Sequence, residues 1–346
     1  MRVLLVEPGP HFSVADVCDG LHAGLIANGV DVCRLNLADR LNFYTEARIE
    51  RHGKLVRAFE ENAAIAMAAK GIEVACYEFW PDVVIVVSGF FVPPEVWAVL
   101  ARRPHHVVLW CTESPYEDDR QAQPGRYVDT VVLNDPRNLG SFCSSVNPAS
   151  YYFPHSYNPD RHHPGPADPD LECDFAFVGT GFPSRIEFFE QVDWTGINAT
   201  FAGNWQQVSI NSPLFPMLAN DRSECVDNAD AARLYRSAKV TANLYRKETS
   251  ENGQADGWAM GPREVELAAC GSFFMREPRG EGDELFPMLP TFTTPIEFEQ
   301  QLRWWLAHPT ERAEAAAAAH AAITDRTFTN TVQRLLTIVG AHQAAA

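Results

Sequence analysis

The sequence predicts an α/β chain with two parallel sheets, each covered by helices. Three observations predict it. Short β-branched apolar runs alternate with helical stretches through the first half of the chain. The segment 154–170, PHSYNPDRHHPGPADPD, then interrupts the alternation with a density of prolines that no regular element tolerates. The alternation restarts at Asp174 and continues almost to the C-terminus. A length of 346 residues suits about two domains, and a hydrophobic share of 46% lets each bury its own core.

The first strand is expected over Arg2 to Val6, leucine- and valine-rich as a buried parallel strand should be. It leads through EPGPHF to a helix over Val14 to Ala27. Ser13 suits its N-cap, Asp16 its acidic first turn, and Asn28-Gly29 its end. A strand over Asp31 to Leu37 completes a β-α-β unit, and a long helical region is expected over Tyr44 to Ala69. The strand Val83 to Val87 ends in Ser88-Gly89, and Pro93-Pro94 opens a helix over Glu95 to Arg102. The strand Val107 to Cys111 ends in Thr112-Glu113-Ser114-Pro115, and the strand Thr130 to Leu133 in Asn134-Asp135-Pro136.

Beyond the proline-rich segment, a strand over Asp174 to Val178 ends in Gly179-Thr180-Gly181 and precedes a helix over Arg185 to Gln191. Strands follow at Ala199 to Ala202, Val240 to Tyr245 and Gly271 to Met275, with a helix start spanning Gly261 to Ala269. Helices over Phe298 to Ala307, Glu311 to Ala322 and Thr329 to Val339 close the chain, ahead of an Ala-rich tail that looks dispensable. The organisation is therefore a Rossmann-like domain over 1–155, a hinge over 156–172, a second Rossmann-like domain over 173–325, and a terminal helix over 326–340. The two domains are expected to face each other across a cleft.

A net charge of −17 repels an extended polyphosphate and reads as a solubility charge. The eight cysteines contain no C-x-x-C pair, which argues for reduced thiols and against a zinc cluster or disulfide framework. The apolar N-terminal run stops at Glu7, and no run approaches 18 apolar residues. No signal peptide or membrane insertion is expected, and the location is read as cytoplasmic.

Ligands of open parallel sheets bind beyond the carboxyl ends of the strands, so the turns there are the places to look. In FVGTGFPSR, residues 177–185, small residues after a strand let backbone N–H groups approach a phosphate, and Arg185 adds a fork of donors. A structural turn needs the same glycines. In GPREVELAACG, residues 261–271, Arg263 and Glu266 share a helix face. A carboxylate there can accept both hydroxyls of a ribose while the cation meets a diphosphate, and a surface ion pair is the alternative.

The stretch E-x-A-A-C-G at 266–271 resembles the end of the donor motif of GT-B glycosyltransferases. FVGTGFPSR, AKVTANLYR at 238–246, GPREVELAACG, the Trp110-Cys111-Thr112-Glu113-Ser114-Pro115 edge and the hinge YYFPHSYNPDRHHP together resemble the CgeB-like (spore maturation-type) glycosyltransferases. The resemblance implies the GT-B architecture, with the terminal helix crossing back to the first domain, and a nucleotide diphosphate sugar as donor. It implies that Glu266 binds the ribose, that Arg263 and Arg185 face the diphosphate with backbone at Gly179 and Thr180, and that Asn243 lines the pocket. Glu264 and His155 join the donor-binding set. Retaining GT-B enzymes often carry a second glutamate in an E-x7-E pattern. That position is Trp258 here, with Glu251, Asp256 or Glu264 as substitutes.

A base that takes the acceptor's proton should lie at a strand end of the first domain. Glu113 is the first choice, followed by Asp16 and His11, with Asp118 further out. The D-x-D triplet Asp168-Pro169-Asp170 lies in the hinge rather than at a strand end, and no metal or other cofactor is required in this reading. The acceptor is a protein, glycan or small molecule ahead of DNA. A DNA-modifying enzyme is the alternative, drawing on Arg2, Arg34, Arg40, Arg48, Arg51, Lys54 and Arg57, and a non-catalytic nucleotide-sugar-binding protein is the third reading. No G-x-G-x-x-G follows the first strand, which disfavours an NAD-dependent oxidoreductase.

Overall fold

A computed structural model describes residues 1–10, 14–249 and 256–345. His11, Ser13 and Glu251 lie outside the described residues. The chain divides into two compact units, one of residues 1–153 with the C-terminal helix, the other of residues 154–249 with 256–327.

The first unit runs β1 (Arg2–Val6), α1 (Ala15–Ala27), β2 (Asp31–Leu35), α2 (Leu37–Glu46), β3 (Arg48–Arg51), β4 (Lys54–Arg57), α3 (Glu61–Phe79), β5 (Val83–Val87), α4 (Pro94–Leu100), β6 (His106–Trp110), α5 (Asp118–Gly125), β7 (Thr130–Leu133), α6 (Leu139–Ser145) and β8 (Ser150–Tyr152). Six of its strands form one parallel sheet in the order β2-β1-β5-β6-β7-β8. All five residues of β5 are buried, because helices cover both faces and every side chain meets one. The period of two sorts them: Val84 and Val86 join Leu4, Val6, Val107 and Leu109 in the cluster under α3 and α4. Val83, Ile85 and Val87 join Val3, Leu5 and Val108 in the cluster on the other face.

The expected helix over Tyr44 to Ala69 is corrected. Two helices, α2 and α3, flank an antiparallel hairpin in which Ile49 pairs with Val56 and Arg51 with Lys54. His52 and Gly53 at its tip have φ of 52° and 73°, the left-handed pair that a two-residue hairpin turn requires. The glycine makes this turn cheap, and the short strands on either side never bury a helical stripe.

The second unit runs β9 (Cys173–Val178), α7 (Pro183–Glu190), β10 (Ala199–Ala202), α8 (Asn228–Ser237), β11 (Ala238–Asn243), α9 (Pro262–Ala269), β12 (Phe274–Arg276), α10 (Gly280–Leu285), α11 (Pro295–Ala307) and α12 (Pro309–Ala321). Its parallel sheet has the order β10-β9-β11-β12. The core is aromatic: Phe175, Phe177, Phe189, Phe201, Trp205 and Phe298 are all buried in one cluster. Their rings meet edge-on or tilted, as the ring quadrupole prefers, for example Phe189 on Phe201 at 5.0 Å. Asp168 of the D-x-D triplet caps a short 3₁₀ turn over Pro169–Leu171 and holds Arg233 at 2.5 Å, so its carboxylate is spent on local structure.

The last helix, α13 (Phe328–Ala345), belongs to the first unit. Phe328, Val332, Leu335 and Val339 are buried with Cys18, Leu21 and Leu25 of α1. Their spacing of four, three and four places them on one helical stripe. The tail taken as dispensable is part of this helix, since alanine is the strongest helix former. His342 lies within hydrogen-bonding distance of the Tyr151 hydroxyl, at 3.0 Å. Among the described residues, no helix is long and apolar enough to cross a membrane.

Candidate functional site

The carboxyl ends of β9, β11 and β12 in the second unit bring one group of polar residues together. β9 ends at Val178, and Gly179, Thr180 and Gly181 turn the chain toward α7. A side chain at Gly179 would stand 2.2 Å from Arg263 Nη2, so only glycine lets that guanidinium rest on the turn. Arg263 itself comes from the first turn of α9, which opens with Pro262 at its first position. Its Nη1 donates to Asn243 Oδ1 at 2.8 Å, and its guanidinium lies 4.8 Å from the centre of the Phe177 ring. Asn243 is the last residue of β11 and is buried. A cation fixed on three sides in this way is preorganised for an anion.

Glu266 stands one turn further along α9, half-buried. A ring nitrogen of the buried His162 lies within 4.8 Å of its carboxylate. Burial pushes the Tyr235 phenol up, and the nearby Glu266 charge adds to that effect.

Three of the residues expected at the donor are engaged within the protein. Arg185 is buried, with Nε and Nη2 donating to Leu244 O at 3.1 and 2.6 Å and Nη1 to Thr180 O at 2.9 Å. It ties the turn after β9 to the chain after β11 and pairs the Leu244 carbonyl. The Gly179 N–H is likewise committed to Ala202 O at 2.9 Å, leaving the half-buried Thr180 as the expected backbone donor that is still available. Glu264 is fully buried and closes the N-terminus of α9 as a capping box. It accepts from the Gly261 N–H at 2.9 Å and from the Tyr245 hydroxyl. Burial pushes its carboxyl up to about 7, against the pull of Tyr245, Gly261, Arg276 and Arg279.

Sequence reasoning missed the edge beyond β12. Glu277 follows that strand directly, accepts from the Tyr245 N–H at 2.6 Å, and is held above the usual carboxylate range by burial. Arg279 stacks on the Tyr245 ring at 3.8 Å. The signal available was position alone, a carboxylate one residue past a buried parallel strand. His155 is half-buried, and burial with the Arg326 and Arg279 charges holds its imidazole down to about 4.

In the first unit, Asp16 is buried in the first turn of α1 and Glu113 is half-buried three residues past β6. Asp118 starts α5 and is buried. Burial raises its carboxyl above the usual range, and Asn138 Nδ2 donates to it at 2.7 Å. Asp256 is exposed, and Trp258 is half-buried against Gly280.

Residues 185–337 match the family model described as Glycosyl transferase-like. That stretch belongs to the glycosyl transferase-like family. The glycosyl transferase-like stretch contains Arg185, Asn243, Arg263 and Glu266 and begins just after the Gly179 turn. The chain is 20% identical over 246 residues to spore protein CgeB of Bacillus subtilis (strain 168), covering 69% of this chain and 77% of that protein. Among solved structures, sucrose-phosphate synthase of Thermosynechococcus elongatus superposes with a TM-score of 0.71 at 12% identity, with all of each chain covered. Anabaena HepE, solved in complex with UDP-glucose, superposes with a TM-score of 0.61 at 12% identity, covering 97% of this chain and 99% of that one. The fold is that of GT-B glycosyltransferases, with parallel sheets of six and four strands.

Proposed function

We propose that this chain transfers a sugar from a nucleoside diphosphate donor to a hydroxyl acceptor. The observation that carries the reading is the Arg263 guanidinium, clasped by Asn243 and seated on Gly179, with Glu266 one turn along the same helix. A guanidinium there neutralises the diphosphate, whose charge grows as the sugar leaves. The Glu266 carboxylate accepts the ribose hydroxyls, and the Thr180 N–H adds a backbone donor. This arrangement needs no divalent cation, since Arg263 supplies the positive charge. The general base is assigned to Glu113, with Asp16 and Asp118 as the other carboxylates of the first unit. HepE was solved with UDP-glucose, which supports a uridine diphosphate sugar as the first donor to try.

A thermal-shift screen against nucleotide diphosphate sugars tests both halves. The matching donor should raise the melting temperature of the parent, since a ligand of the native state stabilises it. Glu266→Ala should remove that rise while melting normally without ligand. Glu113→Gln should keep the rise and lose turnover, by about a hundredfold or more. A parent chain that binds donor without ever transferring or hydrolysing it would be a sugar-nucleotide receptor, and the enzyme reading would fail.

A further inference from the structure

The hairpin β3–β4 takes no part in the chemistry above. All eight of its strand residues are exposed, and it forms a two-stranded sheet of its own. Such a ribbon is marginal by itself in water. In a chain of net charge −17, residues 48–57 hold Arg48, Arg51, Lys54 and Arg57 against the single acid Glu50. The register sets Arg48 opposite Arg57 and Arg51 opposite Lys54. Side chains directly opposite share a face, so both pairs are like-charge contacts that weaken the hairpin. Among the described residues, no carboxylate pairs with Arg51, Lys54 or Arg57. Only Arg48 is tied down, its Nη1 donating to Thr45 O at 2.8 Å near the end of α2.

Large apolar side chains accompany these cations. Leu55 is 76% exposed and Phe43, on α2, is 71% exposed. Phe43 belongs to the base of the hairpin: its ring meets Tyr44 at 5.2 Å, and Tyr44 meets Phe59 at 5.5 Å. The Ala58 N–H donates to Ala47 O at 2.9 Å and closes that base.

We infer that the hairpin docks this protein edge-on onto an anionic lipid surface, so that both faces of the ribbon reach it, Arg51 and Lys54 from one and Leu55 and Arg57 from the other, with the cations at the phosphate headgroups and Leu55 and Phe43 at the acyl boundary. Charge complementarity asks for a polyanion, and the two exposed apolar side chains select among polyanions. A bilayer offers hydrocarbon to both at once, whereas a nucleic acid admits an apolar side chain only where a base step is unstacked at a cost. The like-charge pairs, a cost in water, become the feature that two neighbouring headgroups satisfy.

Sedimentation of the full chain with phosphatidylcholine vesicles, with and without phosphatidylglycerol, tests the inference. Binding should require the anionic lipid and weaken with salt. Arg51→Glu/Lys54→Glu should weaken it by about tenfold or more, since each cation near such a surface contributes on the order of fivefold. Leu55→Ser should weaken it severalfold while leaving the salt dependence in place. These positions are exposed, so the variants should melt like the parent, which controls for misfolding. The absence of binding to anionic vesicles at low salt would overturn the inference. So would vesicle binding that ignores both variants. Binding to duplex DNA, lost on charge reversal and unaffected by Leu55→Ser, with vesicles unbound, would assign the hairpin to nucleic acid instead.

Discussion

Arg263→Ala should lower kcat/KM for sugar transfer by on the order of a hundred- to a thousandfold, the range seen when one preorganised charge-stabilising group is removed. The reason is the way this side chain is held. Asn243 fixes one nitrogen, the Phe177 ring backs the guanidinium, and the glycine turn lets it approach the backbone. No reorganisation is then needed as negative charge builds on the leaving diphosphate. Arg263→Lys should recover little of the loss, because an ammonium cannot hold Asn243 and present a second donor in one plane. Steady-state kinetics with the donor found by thermal shift decide the matter. Rates within about threefold of the parent for Arg263→Ala would remove Arg263 from the mechanism.

The second large effect concerns stability rather than rate. The Glu264 carboxyl sits at about 7 in the folded chain, pushed up by burial from an ordinary value of 4.5. The folded state therefore holds this proton more tightly than the unfolded state. The resulting stabilisation is complete below pH 4.5 and is lost as pH rises through 7, a change of about 3 kcal/mol. Glu264→Gln keeps an acceptor for the Gly261 N–H and the Tyr245 hydroxyl but does not titrate. It should match the parent near pH 4 and outlast it at pH 8, by several degrees in melting temperature. His155 works in the opposite direction: held down to about 4, it stabilises above its ordinary 6.5 and ceases to as pH falls through 4. Melting curves of parent and Glu264→Gln across this range isolate the glutamate, since His155 is common to both. Parallel pH profiles for the two chains would show that Glu264 is not the titrating group.

The parallel strands were legible because burial on both faces leaves a plain signature. Arg2–Val6, Val83–Val87 and Thr130–Leu133 are apolar runs bounded by turn residues, and they were read to the residue. The hairpin was not legible as part of a 26-residue helical window, since His-Gly is a weak turn signal and the flanking strands bury nothing. The three-residue strand Ser150–Tyr152 carried no periodicity at all. In the candidate site, position could be read and partnership could not. The sequence placed Arg185, Arg263 and Asn243 at one sheet edge, and the structure then divided their labour. Two arginines with equal claims on a phosphate separate only when the carbonyls around one of them are visible. Glu264 shows the same limit: a glutamate at the third helical position caps as readily as it binds, and here it caps.

The helix α13 has a consequence for how this chain comes into being. Leu21 and Leu25 share a cluster with Val332, Leu335 and Val339, which are made only after the whole of the second unit. On a ribosome the face of the first unit by α1 stays uncovered by α13 until the residues of that helix have emerged. The described residues of the second unit all lie between 154 and 327, so it waits for no later segment. The first unit is thus completed only after the second has been made, and until then its α1 face is apolar surface of the kind that chaperones shield.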